Sequence, residues 1–126
     1  MGRTIKITAG PVEQVAELDD SSTALKIWEA LPIDALANTW GDEIYFRIPV
    51  ACAYDDPKDV VGLGDIAYWP PGSAFCIFFG RTPASRGDEI RPASAVNVFG
   101  KLQGDPKAFK AVPDGEQILI ERAEDT

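Results

Sequence analysis

Histidine is missing from all 126 residues of the chain. Without it the chain has no side chain whose ordinary pKa lies close to neutrality. Serine–histidine and cysteine–histidine nucleophiles, histidine general bases and histidine-ligated metals are thereby excluded. Cysteine is nearly as scarce, with Cys52 and Cys76 as its two copies. Two thiolates cannot complete a four-cysteine metal site, and no metal or other cofactor is expected. Both cysteines sit in apolar surroundings, IPVACAY and AFCIFFG, which points to buried thiols acting as small hydrophobes. The N-terminal MGRTIKITAG has no apolar signal core, so reduced thiols and a cytoplasmic location are expected. No apolar run is long enough to cross a bilayer.

Positive charge is outnumbered. Twelve Lys and Arg stand against 20 Asp and Glu, a formal net charge of −8. The basic residues are scattered, so nucleic acids and anionic membranes are excluded as partners. A phosphate cradle is absent too, because GLGDIA lacks the third glycine and leads into a strand. The acidic run Asp55, Asp56, Asp59 lacks the alternating oxygen spacing of a calcium loop. What is present is a 45% apolar composition over a length that suits one domain, residues 1–126. A chain of this size buries roughly two-thirds of its unfolded surface, enough for a core of its own.

Ile5 and Ile7 alternate with Lys6 and Thr8, a half-buried strand over residues 3–9. Gly10-Pro11 turns the chain into a second short strand, Val12 to Leu18. Asp19, Asp20, Ser21 and Ser22 supply N-cap candidates for a helix whose Ala24, Leu25, Ile27, Trp28 and Leu31 form one apolar stripe, stopped by Pro32. About three turns are enough to plug one end of a barrel. Asn38 to Gly41 reads as a turn. The next strand, Asp42 to Pro49, sets Ile44, Phe46 and Ile48 against Glu43, Tyr45 and Arg47 on the solvent side. Residues 51–61 form a polar surface excursion.

Asp65 to Trp69 and Phe75 to Phe79 are strands separated by Pro70-Pro71-Gly72, which fixes backbone angles and ends pairing on either side. Residues 81–94 read as a polar loop and the piece expected to be most mobile. Val96 to Leu102 is a strand with Gly100 marking a bulge or close approach. A short second helix at residues 105–112, a turn at Asp114-Gly115 and a last strand, Gln117 to Arg122, complete the chain. The tail, 123–126, is expected to fray. Many short strands without a βαβ rhythm make this a mainly β protein, a closed barrel or sandwich.

The order of these motifs resembles the cyclophilin fold. The helix followed by Tyr45-Phe46-Arg47-Ile48-Pro49, the Gly64–Gly80 hairpin with Phe78-Phe79, the Val98-Phe99-Gly100-Lys101-Leu102 segment and Ile118-Leu119-Ile120 fall in the family's sequence. The resemblance implies a closed cyclophilin-like β-barrel with one capping helix and a short second helix. Trp40 to Phe46 and Tyr68 to Gly72 are most similar to the small stand-alone cyclophilin-like proteins of bacteria and archaea, whose biochemical role is unassigned. Arg47 matches the arginine that prolyl isomerases aim at the substrate amide, and Phe79 the phenylalanine that floors their proline pocket. The glutamine-rich segment after that arginine, the Ser-Gln before the paired phenylalanines and the groove histidine have no counterpart.

Three readings follow. In the first, a cleft between residues 43–47 and the 68–79 hairpin binds a small molecule or short peptide. Trp40, Glu43, Tyr45, Tyr68 and Trp69 would bring aromatic faces and a carboxylate to a cationic or heterocyclic ligand. Arg47 and Phe79 would join them, with donors from Thr82, Ser85 or Asn97. In the second, the protein is a weak peptidyl-prolyl isomerase with Arg47 as its catalytic residue. The amide barrier is about 18–20 kcal/mol and one charge-assisted hydrogen bond contributes roughly 1.5–3 kcal/mol, so Arg47 alone would give some tenfold to a hundredfold. Against this, Glu43 lies four residues away on the same strand face and offers Arg47 an ion-pair partner. In the third, an exposed aromatic patch makes a homodimer.

Overall fold

The computed structural model describes residues 3–123, so residues 124–126 of the tail expected to fray lie outside the described residues. Strand β1 (Arg3–Ala9) buries Ile5, Ile7 and Ala9 on one face. It pairs with β2 (Val12–Leu18) from Arg3↔Leu18 to Ala9↔Val12. The two-residue connection needs a left-handed position, which Gly10 supplies at φ 56°. Helix α1 (Ser22–Ala30) starts where the Ser21 hydroxyl accepts from the Ala24 N–H at 3.1 Å. Its buried face carries Thr23, Ala24 and Ile27. The guanidinium of Arg122 stacks 4.6 Å from the Trp28 ring centroid and donates to the Trp28 carbonyl.

After Pro32 the chain does something its sequence does not announce. Residues 33–36 form β3 (Ile33–Leu36), and the expected turn at residues 38–41 begins instead with β4 (Asn38–Thr39). The first pairs with β9 (Gln117–Arg122) and the second with β5 (Glu43–Arg47). The sheet order is β3-β9-β1-β2, then β8 (Asn97–Leu102), β6 (Asp65–Trp69), β7 (Ala74–Phe78), β5 and β4. Its two outermost strands are therefore separated in sequence by Ala37 alone. One extended stretch joins both rims, and the antiparallel sheet curls nearly closed as a barrel, which hides its ladder edges. Ala37 is held on both sides, its N–H donating to Glu116 O at 2.8 Å and its carbonyl accepting from Gly115 N–H at 2.7 Å.

Between β6 and β7, Pro70–Gly72 winds into one 3-10 turn. A second 3-10 helix, Pro106–Ala111, is capped by Asp105 accepting from the Lys107 N–H at 3.0 Å. Gly100 marks the close approach anticipated for it: a Cβ there would stand 2.7 Å from Glu17 O. The β6–β8 register shifts next to it, between Ile66 and Ala67.

The apolar residues form two layers. Inside the barrel, Phe46 stacks on Phe75 at 5.1 Å and Phe99 meets Phe75 edge-on at 5.3 Å. Outside it, Ala67, Ala74, Cys76 and Phe78 pack with Val61, Ile90 and Val96. The whole of β7 is consequently buried. The cover comes from the two stretches read as polar excursions. Lys58 and Val96 exchange hydrogen bonds at 2.8 and 3.0 Å, and Val61 N–H donates to Ile90 O at 3.0 Å. The 81–94 loop, expected to be the most mobile piece of the chain, lies over the sheet with Thr82, Ile90 and Pro92 buried. Among the described residues no helix is long and apolar enough to cross a membrane.

Candidate ligand-binding cavity

The alternation of β5 sends Ile44 and Phe46 into the barrel and Glu43, Tyr45 and Arg47 to its outer side. Register then sets the neighbours. Tyr45 lies opposite Cys76, and Cys76 opposite Ala67; one step along, Arg47 lies opposite Ala74, and Ala74 opposite Trp69. The small side chains Cys76, Ala67 and Ala74 thus run between two large rings, Tyr45 and Trp69. That difference in size leaves a hollow, of about 260 Å³, which Pro92, Ala93 and Val96 of the overlying stretch close from the other side.

Local chain geometry places the remaining ring. Trp40 N–H donates to Glu43 O at 2.9 Å, closing the turn between β4 and β5. Gly41 sits at φ 60° in that turn. There its missing Cβ would have met Pro83 Cδ at 2.8 Å. Trp69 folds back over Gly72, where an added Cβ would stand 2.7 Å from its ring, and its indole N–H donates to Ser94 Oγ at 2.7 Å. The double-proline turn and the loop therefore fix one wall of the cavity between them.

Glu43 is the unusual member. It is 5% exposed, and its Oε1 has no hydrogen-bond partner among the described residues. Burial pushes its carboxyl up to about 7, with the adjacent Cys76 thiol working in the opposite direction. The Cys76 thiol is itself driven well above its ordinary range by burial and by the adjacent carboxylate. A thiol so placed is a poor nucleophile. The cavity therefore offers aromatic faces and one unsatisfied acid, the equipment of recognition.

The family model described as cyclophilin-like matches residues 3–121. The chain belongs to the cyclophilin-like family. The solution structure of a hypothetical protein from Archaeoglobus fulgidus is 46% identical, covering 97% of this chain and 95% of its own, with a TM-score of 0.82. A search of the curated proteins finds no match.

This cyclophilin-like chain gathers Trp40, Glu43, Tyr45 and Trp69 around one hollow. It sends the other candidates elsewhere. Arg47 is exposed and is not among the residues lining the cavity. The ion pair expected between Arg47 and Glu43 is not formed; Glu43 turns into the protein, away from solvent. Tyr68 is on the inner face, its hydroxyl donating to Val50 O at 2.6 Å and accepting from Cys52 N–H at 3.3 Å. Phe79 packs inside the barrel against Phe109, with centroids 6.2 Å apart.

The polar candidates are consumed by the backbone. Thr82 donates to Arg91 O, and Ser85 Oγ accepts from Thr82 N–H at 3.0 Å. Asn97, 1% exposed, donates to Ala53 O at 2.9 Å and accepts from Asp55 N–H at 2.9 Å. The lining residues not anticipated are Cys76, Pro92, Ala93 and Val96. Cys76 was legible from the uninterrupted AFCIF, whose two apolar faces demand cover on both sides. The loop residues carried no such signal. Among the described aromatic side chains Tyr54 alone is exposed, while Trp28, Trp40, Tyr45 and Trp69 are half-buried.

Proposed function

We propose that this cyclophilin-like protein binds a small organic molecule in the cavity between the β5–β7–β6 wall and residues 92–96. The observation that carries the reading is a carboxylate buried among Trp40, Tyr45 and Trp69 with one oxygen unpartnered. An unpaired buried acceptor costs roughly 1–3 kcal/mol. A ligand that donates to that oxygen removes the cost. The remaining lining is mostly apolar, the composition of a small-molecule pocket.

A prolyl-isomerase reading needs Arg47 and Phe79 to face one peptide, and they lie on the outer and inner sides of the barrel wall respectively. Free thiols at Cys52 and Cys76 favour a reducing compartment, and we assign the protein to the cytoplasm on that ground. The test is a fragment screen read by the indole N–H signals of Trp40 and Trp69. Small aromatic and heterocyclic fragments should shift both, and Ala93→Trp, which fills the hollow, should abolish the shifts. Fragments that leave both indoles unmoved, or that bind equally to the filled variant, refute the proposal.

A further inference from the structure

We infer that the ligand is a small organic cation, held with its protonated nitrogen on Glu43 and its carbon frame between Trp40, Tyr45 and Trp69. This rests on the small-molecule reading and narrows it by charge. Among the described residues Glu43 is the one charged side chain that lines the cavity. None of the described basic groups lines the cavity with it, so an anionic ligand would meet repulsion and no counter-charge. Among the described residues no cation pairs with the carboxylate. Lys110 pairs with the neighbouring Asp42 at 3.6 Å, Arg91 with Glu89 at 3.2 Å, Lys101 with Asp65 at 3.4 Å and Lys58 with Asp56 at 3.2 Å. Glu43 takes part in none of these ion pairs.

Once Glu43 has ionised, above about pH 7, a neutral donor would satisfy the unpartnered Oε1 and leave the buried charge uncompensated. A cation does both, and the three rings present the electron-rich faces that attract it. The net charge of −8 adds a long-range field of the same preference. Tyr45 and Cys76 are the other titratable groups lining the cavity, and neither brings positive charge.

Benzamidine and benzamide are probes of nearly equal shape that differ in charge. Their affinities would be measured by titration of the Trp40 indole signal at pH 7.5, in wild type, Glu43→Gln and Trp69→Leu. Benzamidine should bind wild type at least about tenfold more tightly than benzamide, as expected for a charge-assisted bond. Glu43→Gln should bring the pair to within about twofold of each other, and Trp69→Leu should weaken benzamidine more than benzamide. Equal affinities in wild type, or no shift by either probe, overturn the inference. A preference that survives Glu43→Gln also overturns it, since the general field of the protein would then be its source. Benzamide binding as well as benzamidine leaves the small-molecule reading standing, whereas failure of every fragment in the earlier screen, charged or neutral, removes both.

Discussion

Replacing Glu43 with Gln should make the protein more stable at alkaline pH and change its stability little near pH 5. In the folded state the carboxyl keeps its proton up to about 7, against 4.5 for the unfolded chain. Between those values the folded protein holds a proton that the unfolded chain has released, so stability falls as pH rises through the window. The gap between 4.5 and about 7, at ~1.36 kcal/mol per unit, corresponds to about 3 kcal/mol of lost stability once the pH is well above the folded value. Gln reproduces the shape of the protonated acid and cannot ionise. Urea unfolding of both proteins from pH 5 to 8.5 isolates the contribution, because the other carboxylates are common to the two and cancel. Cys76, held well above its ordinary range, stays protonated throughout. The stability difference should grow in favour of the variant by about 2–3 kcal/mol across the series. A difference constant to within about 0.5 kcal/mol, well below that span, would refute the claim that Glu43 is a buried acid whose ionisation opposes folding.

Tyr68→Phe removes a hydroxyl bonded to Val50 O and Cys52 N–H and should cost about 1–2 kcal/mol in urea unfolding; probe binding should be unaffected, because Tyr68 is on the barrel's inner face. Gly72→Ala places a Cβ 2.7 Å from the Trp69 ring; the displaced indole should alter the near-ultraviolet circular dichroism, and an unchanged spectrum would contradict the account of that wall. Cys76 is buried while Cys52 is half-buried, so a thiol reagent should label Cys52 in the folded protein and reach Cys76 only in denaturant. Labelling of both at equal rates would mean that the stretch over residues 92–96 does not close the cavity.

The alternating strands at residues 3–9, 12–18 and 43–47 and the capped helix were legible because each repeats its signal over several residues. The barrel's seam was not. In β3 only Ile33 is buried while Asp34 and Leu36 are exposed, and β4 is two residues long, too short to show a period. The cavity was half legible for a related reason. Strand alternation correctly puts Glu43, Tyr45 and Arg47 on the outer side, yet it does not tell which outer positions another segment covers. Glu43 and Cys76 are covered by a stretch distant in sequence, and Arg47 is left in water. Tyr68 shows the converse: period two assigns it the face opposite Trp69, so adjacency in sequence separates the two rings in space.

The stretch at residues 33–39 has a consequence for how the protein breathes. Because it completes the ladders of both β9 and β5, releasing it from one partner loosens its hold on the other. The amides of Ile118 and Tyr45, remote along the chain, should therefore open in step in hydrogen exchange, as one cooperative unit.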